Sequence, residues 1–213
     1  MTAINRRNLI RMGAVLSLAA IGPAAEPALT PPEIQGPFYP LVAQQDRDFD
    51  LTMIAGHTER AAGEQIWIRG QVLDQDGRGL EQATVDIWQA NTHGRYSHPH
   101  DSNPAPLDAN FQGWAIVPSG RDGGFVFRTI VPGSYPASDT WTRPPHVHFK
   151  VSKLGYHELV TQMYFPGQAL NATDLLLQNK TAAEQQVMIA TDSGTRRDGL
   201  RVFDYRVVVA RAG

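Results

Sequence analysis

Residues 146–152 read HVHFKVS, a stretch in which polar and apolar side chains alternate at every position. Strict alternation is typical of a β-strand that buries one face. Other short runs of this kind lie at 65–73, 83–89, 124–130, 159–165 and 202–209. Glycine and proline, 19 and 15 of the 213 residues, separate them. Together these features predict an all-β fold, an antiparallel β-sandwich whose short strands are joined by loops.

Two local signals add detail to this fold. Residues 181–191 form the one convincing helical window, because Ala182, Val187 and Ala190 would share one face of a helix. After the first strand run, the pair Asp76-Gly77 is typical of a tight turn with positive φ. The sequence therefore predicts one short helix and a hairpin between the first two strands.

Composition excludes several classes of function. Charged residues make up 19% of the chain and sum to a net charge of −2, so a basic surface for nucleic acid is not indicated. There is no cysteine, which excludes disulfides, thiolate metal sites and cysteine nucleophiles. Any metal must be held by nitrogen and oxygen ligands.

The first 63 residues divide into two segments. Residues 1–25 carry the pair Arg6-Arg7, an apolar stretch at 12–21 and small residues after it, which predicts a cleaved export signal of the twin-arginine type. The apolar stretch is too short for a membrane anchor, so we expect a periplasmic or secreted protein. Prolines in 26–63 predict an extended segment that wraps the sandwich, which occupies 64–213.

The strand at 146–152 also carries the candidate chemistry. Successive strand residues point to opposite faces, so His146 and His148 lie on the same face and could share a metal. Arg143 precedes them across two prolines that stiffen the chain, which places a fixed cation beside the pair. A metal-free histidine pair and a surface salt bridge of Arg143 are the alternatives. Tyr96 and Tyr135 lie in turn-forming sequence after strands, where rim packing is the ordinary role of a tyrosine.

Three segments in order carry a family resemblance: Gly94-Arg95-Tyr96 with 105–111, the run at 127–136, and the run at 143–149. With them, the chain resembles the intradiol ring-cleavage dioxygenases, in particular the protocatechuate-cleaving branch, from about Pro31 to Tyr205. The resemblance implies a β-sandwich with long loops that carry the active site. It also implies an enzyme that cleaves a catechol with dioxygen between its hydroxylated carbons and yields a muconate-type diacid.

The resemblance further implies one non-haem Fe(III) per chain, bound by Tyr96, Tyr135, His146 and His148, with a hydroxide completing the shell. Two phenolates suit a hard ferric ion, and coordination keeps a phenol ionised below its usual pKa of about 10. Two phenolates and one hydroxide balance the charge of +3. Tyr135 is also implied as the base that accepts a proton from the substrate.

Further roles follow from the same resemblance. Arg143 is expected to stabilise negative charge on the substrate ring, and Gln162 to lie near that ring, although a cross-strand hydrogen bond is the alternative for Gln162. Gly36 and Pro37 are expected to contact the substrate, in this chain's own site or in a neighbour's. The resemblance leaves open whether the chain acts as a homo-oligomer or with a partner subunit.

One departure concerns the substrate pocket. Where protocatechuate-cleaving chains carry tryptophan, this chain has Ala137, which predicts a bulkier or differently substituted catechol. A carboxylated substrate would need a second cation, for which Arg95, Arg121 and Arg128 are the candidates.

Two other functions fit an exported sandwich. The first is a copper or copper–zinc redox protein of superoxide dismutase type, in which His93, His98 or His100 would join the histidine pair. The second is a metal-free ligand-binding module that uses tryptophans as surface platforms. These are Trp67, Trp88, Trp114 and Trp141.

Overall fold

The computed structural model describes residues 27–41, 46 and 48–213; the predicted export signal lies outside them. The described part contains ten strands, two short α-helices and a 3-10 turn at Ala169–Thr173. The strands are β1 Gln65–Asp74, β2 Thr84–Trp88, β3 Trp114–Pro118, β4 Gly124–Ile130, β5 Tyr135–Ser138, β6 Trp141–Arg143, β7 His146–Ser152, β8 Leu159–Tyr164, β9 Thr191–Arg197 and β10 Leu200–Val209. The helices are α1 Leu175–Gln178 and α2 Ala182–Met188.

The strands form two four-stranded sheets and a small ribbon. The first sheet has the order β4-β1-β10-β9, the second has the order β3-β2-β7-β8, and β5 pairs with β6. All pairs are antiparallel except β1 with β10, which makes the first sheet mixed. The predicted all-β sandwich is therefore confirmed, with one parallel pair in it.

Side chains from both sheets fill the space between them. On β7, Val147, Phe149 and Val151 are fully buried and belong to the single large core cluster. The ring of Phe149 lies 6.2 Å from that of Phe127 on β4 and 5.1 Å from that of Tyr205 on β10. Since successive strand residues alternate, His146 and His148 must point to the outer face of the second sheet.

Extended chain covers that outer face. Residues 27–41 contain no helix or strand and are held by hydrogen bonds to the sheets. The amide of Glu33 donates to the Val160 carbonyl at 2.8 Å, and the Gln162 side-chain amide donates to the Ile34 carbonyl at 3.0 Å. The candidate ligands therefore lie between a sheet and an overlying segment, which excludes water from them.

The predicted helix forms, but it is shorter than expected. A capping box fixes its start: Thr181 accepts from the Glu184 amide, and the Glu184 carboxylate accepts from the Thr181 amide. The helix ends at Met188, because Ala190 hydrogen bonds to the Tyr164 carbonyl and β9 begins at Thr191. Within the described residues, no helix is both long enough and apolar enough to cross a bilayer.

The predicted turn after β1 also forms, but it does not join paired strands. Gly77 has a φ of +78°, and the Asp74 carboxylate accepts from the amides of Asp76 and Arg78. The chain then leaves the first sheet, because β2 belongs to the second sheet. A short hairpin does form at this turn, since Leu73 and Gly79 make an antiparallel bridge and the Leu80 amide donates to the Val72 carbonyl. The predicted pairing of β1 with β2 is wrong, because a turn signal reports local backbone geometry and not the strand that follows.

Candidate active site

The two histidines of β7 are buried side by side. Their rings lie 4.9 Å apart and are only 2% and 3% exposed. His146 Nδ1 lies 2.7 Å from the Pro144 carbonyl oxygen, which can only accept, so Nδ1 carries the proton and Nε2 carries the lone pair. His146 Nε2 is buried and has no hydrogen-bond partner in the described part of the chain. A buried lone pair without a donor is the arrangement expected of a metal ligand.

Two loops bring the predicted tyrosines to the same place. Tyr96 follows β2 and is 3% exposed; its hydroxyl lies 3.1 Å from His148 Nε2. Tyr135 opens β5, and its ring lies 5.7 Å from that of Tyr96 and 5.7 Å from that of His146. The structure therefore brings all four predicted ligands together, although 52 positions separate Tyr96 from His148 along the chain.

The two loops meet at Gly94. A Cβ there would lie 2.2 Å from the Ser134 carbonyl oxygen, and the residue has a φ of +76°, so only glycine fits. Downstream, the Asp101 carboxylate accepts from the Tyr96 amide at 2.7 Å and orders the loop. The close approach of the loops sets the distance between the two phenols.

Burial controls the ionisation of these four groups. Burial, followed by the neighbouring Tyr135 phenol, raises the pKa of Tyr96 well above its ordinary value. Burial also raises the pKa of Tyr135, although the charge of Arg143 acts in the opposite direction. Burial and then Arg143 lower the pKa of His148 to about 3, and the same causes lower the pKa of His146 well below its usual range. As long as no metal ion is bound, the site therefore holds two neutral phenols and two neutral imidazoles.

This donor set fits a ferric ion. Imidazole lone pairs are available at neutral pH, and two phenols can each ionise against a hard trivalent cation. The described residues contain no cluster of three or more His, Cys, Asp or Glu that could hold a metal. The two histidines therefore depend on the tyrosines for a complete site.

Arg143 is fixed beside the ligands by a buried network. Its Nε donates to Asp174 at 2.7 Å, and its Nη2 donates to Gln162 Oε1 at 2.6 Å and to the Tyr164 hydroxyl at 3.1 Å. Among the described residues, Nη1 is not seen to donate a hydrogen bond. Gln162 thus holds Arg143 with its oxygen and the Ile34 carbonyl with its amide nitrogen. Its partners are therefore Arg143 and the overlying segment and not a residue of a neighbouring strand, while the expected place of Gln162 near the substrate ring stays a prediction.

The predicted substrate-contacting residues lie at different depths. Gly36, with a φ of +73°, packs so closely on His148 that a Cβ would lie 3.4 Å from its Cε1 atom. This contact is made to the histidine of the same chain. Pro37 is exposed beside it, and the ring of Phe38 lies 4.8 Å from that of Tyr96. Ala137 is exposed in a bulge of the β5–β6 ribbon.

The residues that the two other functions require do not assemble. In the described part of the chain, no third histidine or carboxylate joins His146 and His148, so the copper site of a superoxide dismutase type is not formed. The four tryptophans do not share one surface, although Trp88 on β2 and Trp114 on β3 lie opposite each other. Trp88 is buried and stacks on His148 at 4.8 Å, Trp67 lies on the first sheet, and Trp141 lies on the ribbon. They do not form one platform.

Sequence reasoning missed two residues of the Arg143 network. Tyr164 stands opposite His146 in the β7–β8 register, and its position two residues after Gln162 puts both on one face of β8. The spacing of two residues between Gln162 and Tyr164 in a predicted strand was therefore a sequence signal that the two side chains lie together. Asp174 is fully buried and caps α1 by accepting from the Leu176 and Leu177 amides. Nothing in the sequence links it to Arg143, which is 31 positions away.

Comparisons with known proteins agree on one family. A family model described as a dioxygenase (Dioxygenase_C) matches residues 34–209. Over 149 residues the chain is 41% identical to the protocatechuate 3,4-dioxygenase beta chain of Burkholderia cepacia, which covers 67% of this chain and 62% of that protein. Over 154 residues it is 34% identical to the chlorocatechol 1,2-dioxygenase of Cupriavidus pinatubonensis, which covers 64% and 54%. The chain therefore spans less than two thirds of the length of either relative.

A solved structure has a similar fold. It is the dioxygenase domain of a dioxygenase carbohydrate-binding protein fusion from the cellulolytic bacterium Streptomyces sp. SirexAA-E. The superposition covers 87% of this chain and 100% of that chain, with a TM-score of 0.63 and 26% sequence identity.

Proposed function

The chain belongs to the intradiol ring-cleaving dioxygenase family, and from this premise we propose that it binds a catechol at one non-haem Fe(III) and cleaves it with dioxygen. Cleavage falls between the two hydroxylated carbons, both oxygen atoms enter the product, and the product is a muconate-type diacid. The observation that carries the proposal is the convergence of two phenols and two imidazoles, with His148 Nε2 and the Tyr96 hydroxyl 3.1 Å apart.

The four converging side chains, Tyr96, Tyr135, His146 and His148, would hold the iron. When bound, ferric iron supplies a charge that keeps phenols and catechol ionised and draws electron density from the substrate ring. The Nε2 atom of His146 supports this assignment, since no protein group in the described residues donates a hydrogen bond to its lone pair.

Tyr135 is assigned the proton transfer. Burial raises the pKa of its phenol, so its phenolate is a strong base. Its Oη atom would accept a proton from a substrate hydroxyl as the catechol enters. Because the Tyr135 oxygen would become neutral as one substrate oxygen becomes anionic, this proton transfer would build little net charge in a buried site.

Arg143 is assigned the stabilisation of negative charge on the substrate. Asp174, Gln162 and Tyr164 hold its Nε and Nη2 atoms, which leaves Nη1 for the substrate. A donor held in place before reaction needs no reorganisation, which is how fixed charges lower a barrier. The segment 27–41, with Gly36 on His148, would keep water from the reacting ring.

Iron content, colour and product test this function together. We expect about one iron per chain, a broad visible band from tyrosinate on Fe(III), and a shift of that band when catechol is added without oxygen. With oxygen, a diacid two oxygen atoms heavier than catechol should form. Tyr96→Phe should lose the iron or the colour, whereas Tyr156→Phe, outside the site, should keep both. A colourless, iron-free protein that consumes no oxygen with catechols would overturn the proposal.

We also propose export by the twin-arginine route, supported by Arg6-Arg7 and the short apolar stretch after them. Lysine at both positions should retain the protein in the cytoplasm, while Arg11→Lys should not. Export of the Arg6→Lys, Arg7→Lys variant at the normal level would contradict this route.

A further inference from the structure

A second cavity adjoins the proposed iron site. It has a volume of about 240 Å³, and Tyr96 lines it, whereas the other three proposed iron ligands do not. Trp88 on β2 and Trp114 on β3 also line it. These two residues stand opposite each other on the outer face of the second sheet, because Trp88 pairs with both Trp114 and His148. The cavity therefore lies beside the iron site on the same face and shares one side chain with it.

The walls of this cavity are mainly aromatic and aliphatic. They include Phe38, Trp88, Phe111, Trp114, Leu41 and Ile54. Aromatic rings pack well against one another, in offset or edge-to-face arrangements, so these walls favour an aromatic occupant. An apolar protein cavity of about 150 Å³ holds a benzene molecule. The larger volume here is therefore enough for a benzene ring with substituents.

Three buried hydrogen-bond donors belong to residues that line the cavity and have no partner among the described residues. They are Trp88 Nε1, His98 Nε2 and Gln112 Nε2. His98 Nε2 carries the ring hydrogen, because Nδ1 accepts from the His100 amide at 3.2 Å and so holds the lone pair. Buried donors without acceptors are unfavourable. Three of them around one cavity indicate an occupant that accepts hydrogen bonds.

The charges of the lining select a neutral occupant. Among the described residues that line the cavity, none is lysine or arginine, and Asp46 supplies a carboxylate. That carboxylate already accepts from the Asp48 amide at 3.3 Å and from the Ala55 amide at 2.7 Å. An anionic molecule would therefore lose its hydration here without gaining a counter-ion, and Asp46 would repel it.

We propose that this cavity is a second small-molecule site, which binds a neutral aromatic ring with acceptor oxygens and no acidic group, such as an aryl ether. The inference goes beyond the proposed ring cleavage and does not depend on it. An aryl ether has no hydroxyl proton to give up, so it cannot bind a ferric ion as a catechol does. Tyr96 is the one proposed ligand that the occupant would contact.

A pair of probes of equal shape tests the ligand class. The purified protein is titrated in a calorimeter with 1,2-dimethoxybenzene or with 1,2-diethylbenzene, in which both ether oxygens are replaced by methylene groups. We expect the ether to bind at one site per chain with a Kd at least about tenfold lower, because only the ether can accept from the unpaired donors. Equal or tighter binding of 1,2-diethylbenzene, or no binding of the ether, overturns the inference.

Three variants test the location. Gln112→Leu removes one donor at similar volume and should weaken binding of the ether about fivefold, the usual effect of one hydrogen bond. Gln71→Leu is the control, because Gln71 also donates through Nε2, to the Asp122 carbonyl at 2.9 Å, but lies on the first sheet. It should bind the ether normally. Ile54→Trp should fill the cavity and abolish binding while the protein stays folded. Normal binding by Gln112→Leu or by Ile54→Trp overturns the proposed site.

Competition separates this site from the proposed iron site. The titration with 1,2-dimethoxybenzene is repeated on iron-loaded protein that is saturated with catechol in the absence of oxygen. We expect the Kd of the ether to stay the same, because the two molecules occupy different spaces. A Kd that rises in proportion to the catechol concentration means that the ether binds at the iron, which overturns the inference. Failure of the proposed function leaves this inference standing, since iron-free protein should bind the ether equally well.

Discussion

At the scale of single residues, the four proposed ligands differ in whether they must lose a proton to bind iron. Burial and the charge of Arg143 lower the pKa of His148 to about 3 and lower that of His146 as well, so both imidazoles are neutral at neutral pH. The pKa of each phenol is raised, so each phenol must give up a proton to become a ligand. Iron affinity should therefore increase as the pH rises.

Proton release measures this directly. Calorimetry in buffers of different ionisation enthalpy gives the number of protons released when the metal-free protein takes up chelated ferric iron. We expect Tyr96→Phe to release about one proton fewer per iron than the wild type, because it removes one ionising ligand and keeps the ring. Tyr156→Phe should release as many as the wild type. Equal release by Tyr96→Phe would exclude Tyr96 as a tyrosinate ligand.

Arg143 is expected to affect turnover but not the binding of iron. Arg143→Gln keeps a hydrogen-bonding side chain but removes the charge, so kcat/KM for catechol should fall about 100-fold, the usual cost of one charge-stabilising donor, while the visible band remains. Arg69→Gln is the matched control, because Arg69 also pairs with an aspartate at 2.7 Å but on the exposed first sheet. Normal turnover by Arg143→Gln would remove Arg143 from the mechanism.

At the scale of elements, the site depends on how closely two loops approach. The loop after β2 carries Tyr96 and the loop before β5 leads to Tyr135, and they touch at Gly94 and Ser134. The loop that carries Tyr96 has no regular structure, and Tyr135 is only the first residue of β5. The contact between the two loops therefore helps to hold both tyrosines.

Gly94→Ala should separate the phenols. The new methyl would meet the Ser134 carbonyl at 2.2 Å, so the loops must move apart. We expect iron content and the visible band to fall several-fold. Gly167→Ala is matched in backbone strain, with a φ of +74° against +76°, but has nothing within 4 Å of its new Cβ. Both variants should lose about 1–2 kcal/mol of stability from the left-handed backbone, and only Gly94→Ala should lose colour. Loss of colour in both would assign the effect to strain alone.

At the scale of the whole molecule, one strand serves both the core and the site. Phe149 lies between the sheets, while His148 beside it faces the candidate site on the outer side of the second sheet. Phe149→Ala should lower the free energy of unfolding by about 3–5 kcal/mol, since it opens a cavity between the two sheets. Leu154→Ala, at a position 97% exposed, should change it little. Denaturant unfolding measures both, and a small effect of Phe149→Ala would mean that the sheets are not held by this core.

Much of the fold could be predicted because alternation is a local property. The runs around β1, β2, β4, β7, β8 and β10 were located from it, as was the helix capped by Thr181. The strands that escaped lack the signal. β3 reads WAIVP and is apolar at every position, so its sequence does not alternate. β9 is mostly exposed and polar, and β5 and β6 are only 4 and 3 residues long. The parallel pairing of β1 with β10 joins segments more than 100 residues apart, which no local pattern encodes.

By itself, the sequence determined that His146 and His148 share a face, because strand parity is a backbone property, and it identified the tyrosines and Arg143 through a resemblance. Only the tertiary structure decided that this face is the outer one beneath residues 27–41, that Asp174 balances Arg143, and that the Trp141 indole lies beside the Arg143 guanidinium. Each of these depends on packing between distant segments. The physical reason is that a contact across a fold is selected by the burial and charge of both partners together, and neither partner's local sequence contains the other.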